Sequence, residues 1–72
     1  MKEQLKKLNE LNIDLELFYS ITIYNDKIIL QGYYSTITRE MLERRGFEFK
    51  LSKRDWIESI NNKIEFILTF KP

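Results

Sequence analysis

The first half of the chain alternates between apolar and polar residues at every second position. This is the spacing of a β-strand, whose successive side chains point to opposite faces, and not that of an amphipathic helix. We expect one strand over residues 13–24 and a second over residues 27–34, joined by a two-residue hairpin loop at Asn25 and Asp26. The apolar positions of the first strand are Ile13, Leu15, Leu17, Tyr19, Ile21 and Ile23.

The hairpin has a definite predicted register. A type I′ turn requires positive φ at both central residues, which Asn25 and Asp26 tolerate better than most residues. Because a slip by one residue would move every apolar side chain to the opposite face, we expect this register to be well specified. The predicted pairs on the core face are Ile23 with Ile28, Ile21 with Leu30, Tyr19 with Gly32, and Leu17 with Tyr34.

Two short helices are predicted, one on each side of the hairpin. The first covers Lys2 to Leu11 and ends at Asn12, which can adopt the left-handed conformation. The second covers Ser35 to Arg45, with Ser35 or Thr36 as its N-cap and Gly46 as its end. The predicted apolar faces consist of Leu5, Leu8 and Leu11 in the first helix and of Ile37, Met41 and Leu42 in the second.

The last third of the chain returns to the spacing of strands. Alternation of Phe47, Phe49 and Leu51 with polar residues predicts a third strand, and residues 63–70 alternate cleanly enough to predict a closing strand.

Residues 52–62 are compatible with two structures. In the first, Ser52 and Asp55 form a capping box that opens a short helix. In the second, which we favour, residues 55–60 form a strand joined to the closing strand by a three-residue loop. That loop comprises Asn61, Asn62 and Lys63, and it places Ile60 opposite Ile64, Trp56 opposite Leu68, and Ile57 opposite Ile67.

These elements predict one α+β domain over residues 1–72, in the order α-β-β-α-β-β-β, with an antiparallel sheet. A tight connection after the second strand returns the second helix to the core face, so we expect both helices on that one face. The opposite face of the sheet would then have no helical cover.

That opposite face is predicted to be too apolar for an ordinary solvated surface. An exposed apolar patch on a small domain typically marks an interface, and aromatic residues are enriched at protein interfaces. We expect a protein partner here, including a second copy of the chain. Two alternatives stay open: a stacking platform for single-stranded nucleic acid, and cover by other parts of the same chain. The candidate residues are Phe18, Tyr24, Ile29 and Tyr33, with Ile57 and Ile67 as further members.

Composition removes most catalytic chemistry from consideration. The chain has neither cysteine nor histidine, so the thiol nucleophile, the commonest general base and the commonest metal ligand are all missing. Asp14 and Glu16 share one face of the predicted first strand. Two carboxylates there could hold a cation weakly or act as an acid/base pair, but simple exposure to solvent is the interpretation that we favour. We therefore expect a protein that is not an enzyme and that binds no metal or cofactor.

The net charge of +1 is small, but positive charge is concentrated in residues 39–54. Two basic doublets meeting at one corner could hold a phosphate or an acidic protein. An ordinary solvated helix face is the simpler interpretation of the same residues. The basic residues of this segment are Arg39, Arg44, Arg45, Lys50, Lys53 and Arg54, against three glutamates.

The sequence thus predicts a small non-enzymatic protein-binding module that uses the outer sheet face for self-association or for a protein partner. The alternative is a nucleic-acid-binding protein that combines the basic cluster with strand aromatics. The charged N-terminus and the lack of a long apolar run predict a cytoplasmic protein that does not enter membranes. Absence of alanine and valine beside abundant isoleucine, lysine and asparagine suggests an A+T-rich genome, such as that of a low-G+C bacterium or its phages. The protein-binding module could then be a small accessory or inhibitory protein of a bacterium or phage.

Overall fold

The order of helices and strands in the computed structural model, which describes residues 2–53 and 55–70, is the predicted one. The fold is α+β, with two helices and a five-stranded sheet. Residues 55–60 adopt the favoured strand structure, not the alternative helix. The elements are α1 (Lys2–Glu10), β1 (Phe18–Ile23), β2 (Ile28–Tyr33), α2 (Thr36–Arg44), β3 (Lys50–Lys53), β4 (Trp56–Asn61) and β5 (Ile64–Thr69).

The sheet is mixed, so the prediction of a purely antiparallel sheet is wrong. The strand order is β1-β2-β5-β4-β3, and β2 and β5 are parallel while the other three pairs are antiparallel. The cause is α2, which crosses over between β2 and β3 and returns β3 in the direction of β2. The chain then reverses direction twice, between β3 and β4 and between β4 and β5, so that β5 runs beside β2 in the same direction. The central strands are therefore separated by three elements of sequence.

The core is built on these two central strands. Alternate residues of β2 and β5 are buried, and both helices contribute one leucine to the same cluster. Phe47 packs edge-on against Phe66, with ring centroids 4.7 Å apart. The buried cluster comprises Leu8, Phe18, Ile28, Leu30, Leu42, Phe47, Ile64, Phe66 and Leu68.

A β-bulge in β1 changes the face to which its aromatic residues point. The predicted pairs of Ile23 with Ile28 and of Ile21 with Leu30 are confirmed, but Phe18, not Tyr19, lies opposite Gly32. The register shifts between Phe18 and Ser20, because one extra residue is accommodated there. Phe18 is consequently only 8% exposed, whereas Tyr19 is 53% exposed. The assignment of Phe18 to the exposed outer face is therefore wrong.

Gly32 leaves room for Leu17 and Phe18 to approach β2 closely. A Cβ atom at position 32 would lie 2.8 Å from the carbonyl oxygen of Leu17 and 3.0 Å from Cδ1 of Phe18. A larger residue would force the backbone of the entering chain away from β2. The Phe18 ring then reaches Phe66 of β5, at a centroid distance of 5.4 Å.

The strand predicted over residues 13–24 begins five residues late. Leu15–Leu17 form a turn of 3-10 helix, and Asp14 is its N-cap. The Asp14 carboxylate accepts a hydrogen bond of 2.9 Å from the Glu16 N–H, and the Asp14 carbonyl accepts one of 3.1 Å from the Leu17 N–H. This local bonding competes with a strand ladder, so the early half of the predicted strand needs no pairing partner.

The predicted helix ends are confirmed. Asn12 has a φ of 55° after α1, and the Ser35 hydroxyl accepts a hydrogen bond of 3.0 Å from the Thr38 N–H at the start of α2. Gly46, with a φ of 95°, ends α2 in a Schellman motif, in which the Phe47 N–H donates to the Leu42 carbonyl over 3.2 Å. Phe47 is thereby drawn into the core before β3 begins, so the third strand is shorter than predicted.

The buried faces of both helices are rotated from their predicted positions. Leu5 and Ile37 are exposed, although each was assigned to a core face. Gln4 and Thr38 are buried instead, beside Leu8 and Leu42 respectively. A polar residue thus occupies a core position in each helix, which apolar spacing alone does not reveal.

The type I′ turn lies in the second hairpin and not in the first. The two-residue loop at Asn25 and Asp26 is confirmed by the hydrogen bond of 2.8 Å from the Tyr24 N–H to the Lys27 carbonyl, but neither loop residue has positive φ. Asn62 and Lys63 have φ values of 54° and 63°, as a type I′ turn requires.

This turn leaves two residues, not three, between β4 and β5 and shifts their predicted register. The observed pairs include Asn61 with Ile64 and Ile57 with Leu68. Ile57 consequently packs against the core, and its assignment to the outer face is wrong. Ile67 pairs with Glu58 and lies on the outer face, as predicted.

The bulge leads to a direct test on two neighbouring aromatic residues. We expect the Phe18→Ala substitution to lower the free energy of unfolding by about 3–5 kcal/mol, because it removes a buried ring. Tyr19→Ala serves as the matched control and is expected to cost about 1 kcal/mol. Urea unfolding followed by circular dichroism measures both. Equal losses, or a larger loss for Tyr19→Ala, would contradict the bulge.

Candidate interaction surface

Three exposed tyrosines and one isoleucine lie on the outer face of β1 and β2 or at its margin. We call Tyr19, Tyr24, Ile29 and Tyr33 the tyrosine surface. The bulge turns Tyr19 outward, where its ring contacts Tyr33 at a centroid distance of 5.0 Å. About half of each tyrosine side chain is exposed, and Ile29 is half-buried between neighbouring strands. The predicted members Tyr24, Ile29 and Tyr33 thus lie on one strand pair, with Tyr19 in place of Phe18.

Hydrogen bonds hold the bulged end of this surface in position. The Thr69 hydroxyl donates to the carbonyl of Gly32 over 3.2 Å, so its oxygen is left to accept from the Tyr19 hydroxyl, also over 3.2 Å. The two bonds connect the Tyr19 ring of β1 and the backbone of β2 to Thr69 of β5. Tyr19 is therefore a positioned side chain whose ring face stays accessible.

Lysine and glutamate border the other end of the tyrosine surface. The Lys27 Nζ atom lies 5.6 Å from the centroid of the Tyr24 ring, in the arrangement of a cation–π contact. The same atom lies 4.0 Å from a carboxylate oxygen of Glu65.

The remainder of the outer face is mixed in charge. Trp56 donates an indole hydrogen bond of 3.0 Å to Glu58, and Lys50 lies opposite Glu58 in the register. Among the described side chains, two lysines and two glutamates lie on this face, so their charges balance: Lys27, Lys50, Glu58 and Glu65. The described part of this face does not form the positive groove that tracks a phosphate backbone.

The free edge of β1 is the part of the surface that the sequence did not predict. In the described sheet, β1 has a neighbour on one side only. Ile21 and Ile23 point toward the core side of the sheet, yet they are 40% and 50% exposed. We call residues 20–24 the β1 edge; it contains no charged residue.

Nothing in the local pattern distinguishes this edge from a central strand. Alternating apolar residues predict which face a side chain occupies, but strand order depends on which distant strands pair. The one local signal is misleading, because the strand lacks the lysine, glutamate or proline that edge strands usually carry, and its composition therefore favours a central position.

The predicted basic cluster does not act as one group in the described part of the chain. Arg45 donates to the Leu11 carbonyl over 2.7 Å and to the Met41 carbonyl over 3.1 Å, so it ties the end of α1 to α2. Arg39 lies over the Tyr34 ring at 5.8 Å and near Glu43 at 3.9 Å.

The other basic residues are placed elsewhere or lie outside the description. Arg44 is exposed on α2, and Lys50 is on β3. The side chain of Lys53 and the whole of Arg54 lie outside the described residues. The predicted meeting of two basic doublets at one corner therefore stays a prediction.

The two candidate carboxylates have a structural explanation. Asp14 caps the 3-10 turn, and Glu16 lies within that turn, so the shared strand face predicted for them does not exist. In residues 2–53 and 55–70, no group of three or more acidic side chains is arranged to hold a metal ion. Neither described helix has the length and apolar character needed to cross a bilayer.

Comparison of the chain with protein-family models, curated proteins and solved structures gives no significant match. The geometry of the tyrosine surface and of the β1 edge is therefore the basis for inferring a function.

Arg45 provides a test of whether the basic residues serve structure or binding. We expect Arg45→Ala to lower the free energy of unfolding by about 1–3 kcal/mol, because it leaves the carbonyl of Leu11 without its charged donor. Arg44→Ala removes the same charge from an exposed position and is expected to change stability by less than about 0.5 kcal/mol. Thermal or urea unfolding measures the difference, and equal effects would rule out the structural role.

Proposed function

We propose that this chain is a non-enzymatic protein-binding module, and that a protein partner binds to the tyrosine surface and the β1 edge together. One observation carries the proposal. Exposed large apolar side chains concentrate at the β1 side of the sheet, on both of its faces and beside a free strand edge. A patch of this kind on a small domain typically marks an interface.

We infer that both helices cover the same side of the sheet and leave the tyrosine surface uncovered. Leu8 of α1 and Leu42 of α2 belong to the same buried cluster as Leu30, whose side chain points away from the tyrosines. Tyr33 lies on the opposite face of β2 and is about half exposed. Helical cover on one side would explain why the apolar residues of the other side stay accessible.

The edge and the tyrosines suit an extended peptide segment. A strand added at the β1 edge would take up free backbone N–H and C=O groups, which supply affinity without requiring a particular sequence. Side chains of that segment would alternate between the isoleucines on one face and the tyrosines on the other. Tyrosine rings provide large, rigid contact area at such surfaces.

Nucleic-acid binding has less support in these contacts. The charges of the described outer face balance, and Arg45 is engaged by backbone carbonyls at a distance from the tyrosines. Within residues 3–52 and 55–70, stacking of bases on Tyr19 or Tyr33 would lack the phosphate contacts that normally accompany it.

The proposal is tested with a display library of random peptides selected on the immobilised chain. We expect the enriched peptides to alternate apolar residues and to lose at least about tenfold in affinity for the Ile23→Lys variant, which places a charge at the β1 edge. Ile60→Lys is the matched control, because Ile60 is also an exposed strand residue but lies on β4.

Two results would overturn the proposal. One is enrichment of peptides that bind Ile23→Lys and wild type equally, or a failure to enrich any peptide on a chain that also stays monomeric. The other is tight binding of fluorescent single-stranded or duplex oligonucleotides that weakens steeply with salt, which would favour the nucleic-acid function instead. Circular dichroism of both variants confirms that each retains the wild-type fold.

A further inference from the structure

The backbone groups on the open side of β1 belong to two residues. The Tyr24 N–H donates to the Lys27 carbonyl, so Tyr24 and Lys27 form a hydrogen-bonded pair of the hairpin. Such pairs recur at every second residue of an antiparallel ladder, so the next one is Thr22 with Ile29. Ile28 instead directs its N–H to the Lys63 carbonyl on the β5 side, over 3.0 Å. The N–H and C=O groups of Ile21 and Ile23 therefore point away from β2, toward the open edge.

The side chains around these groups offer no electrostatic barrier to another strand. The β1 edge has no charged residue and no proline, although both are common means of preventing edge pairing. The bulge at Tyr19 ends the regular part of the strand on one side, and the hairpin loop ends it on the other. Residues 20–24 are thus the segment available for pairing, and Thr22 is its centre.

We infer that the occupant of the β1 edge is a second copy of this chain, paired antiparallel about a two-fold axis through Thr22. The inference rests on the proposed function and names its partner. A two-fold axis perpendicular to the sheet brings Ile21 opposite Ile23 of the second copy, and Ile23 opposite Ile21. The N–H and C=O groups of Ile21 and Ile23 point to the open edge in each copy, so each of these residues can exchange backbone hydrogen bonds with the residue opposite.

The side chains of this arrangement also match. Four isoleucines, two from each copy, meet on the core side of the sheet, where Ile21 and Ile23 are now exposed. On the outer face Thr22 meets Thr22 of the second copy, and Tyr24 meets Ser20. The result is one continuous sheet with five strands from each copy.

The neighbouring register is less favourable. An axis through Ile21 would place Tyr19 opposite Ile23 of the second copy, but the bulge turns Tyr19 to the outer face while Ile23 stays on the core side. Paired residues of an antiparallel sheet must point to the same face. The bulge thus disfavours an axis through Ile21. An axis through Ile23 would place Ile21 opposite the loop residue Asn25, so the axis at Thr22 is the one that pairs strand residues throughout.

Charge does not oppose a second copy as the occupant. No like charges are brought together within the paired segment, and the net charge of +1 produces little repulsion between copies. The contact is short, so we expect a concentration-dependent equilibrium of monomer and dimer rather than a permanent dimer.

A single-cysteine experiment tests the register, because the wild-type chain contains no cysteine. Opposed residues of a non-hydrogen-bonded pair have Cα atoms about 4.5 Å apart, within the range of disulfides. We expect the Thr22→Cys variant to form a covalent dimer on mild oxidation in dilute solution. In the Ser20→Cys control the two cysteines would lie about 13 Å or more apart, so we expect its crosslinking to be at least about tenfold slower.

Sedimentation equilibrium over a concentration series gives the second readout. We expect Ile23→Lys to raise the dimer dissociation constant at least about tenfold, and Ile60→Lys to change it less than about twofold. A wild-type chain that stays monomeric at every concentration, or equal crosslinking of the two cysteine variants, overturns the inference. If displayed peptides nevertheless bind the β1 edge, the proposed function stands and only the identity of the partner is wrong.

Discussion

The packing of Phe18 across Gly32 is the contact on which the orientation of the β1 side chains, and with it the candidate surface, depends. Without a Cβ at position 32, the chain entering β1 approaches β2 closely, and the Phe18 ring reaches Phe66 in the core. The extra residue that this requires is Tyr19, which the bulge turns to the outer face. One glycine therefore decides which of two consecutive aromatic residues is buried and which is offered to solvent.

The consequences extend to both faces of β1. Tyr19 joins Tyr33 on the outer face and is held there through Thr69. Beyond the bulge the regular strand is short, uncharged and open on one side, with Ile21 and Ile23 partly exposed. The proposed binding surface is therefore a product of the bulge and of the position of β1 at the sheet edge, and both arise from long-range packing.

Local signals in the sequence predicted the elements well and their pairing only in part. Strand spacing, the N-cap Ser35 and the left-handed residues Asn12 and Gly46 act within a few residues, so they could be read directly. The bulge, the parallel pairing of β2 with β5 and the edge position of β1 depend on residues distant in sequence. The prediction of a type I′ turn at Asn25 and Asp26 is wrong. The turn occurs at Asn62 and Lys63, which have the positive φ values that it requires. Of the candidate surface, the sequence therefore predicted Tyr24, Ile29 and Tyr33, and it missed Tyr19 and the β1 edge.

Amide hydrogen exchange at the β1 edge tests the central claim most directly. The N–H groups of Ile21 and Ile23 point to the open side, whereas that of Thr22 is directed toward β2. In dilute protein we expect Ile21 and Ile23 to exchange quickly while Thr22 is protected, and we expect protection of the two isoleucines to rise with concentration. Rapid exchange of Ile21 and Ile23 at every concentration, or protection that does not change on dilution, would contradict a β1 edge that is open in the monomer and closed by a second copy.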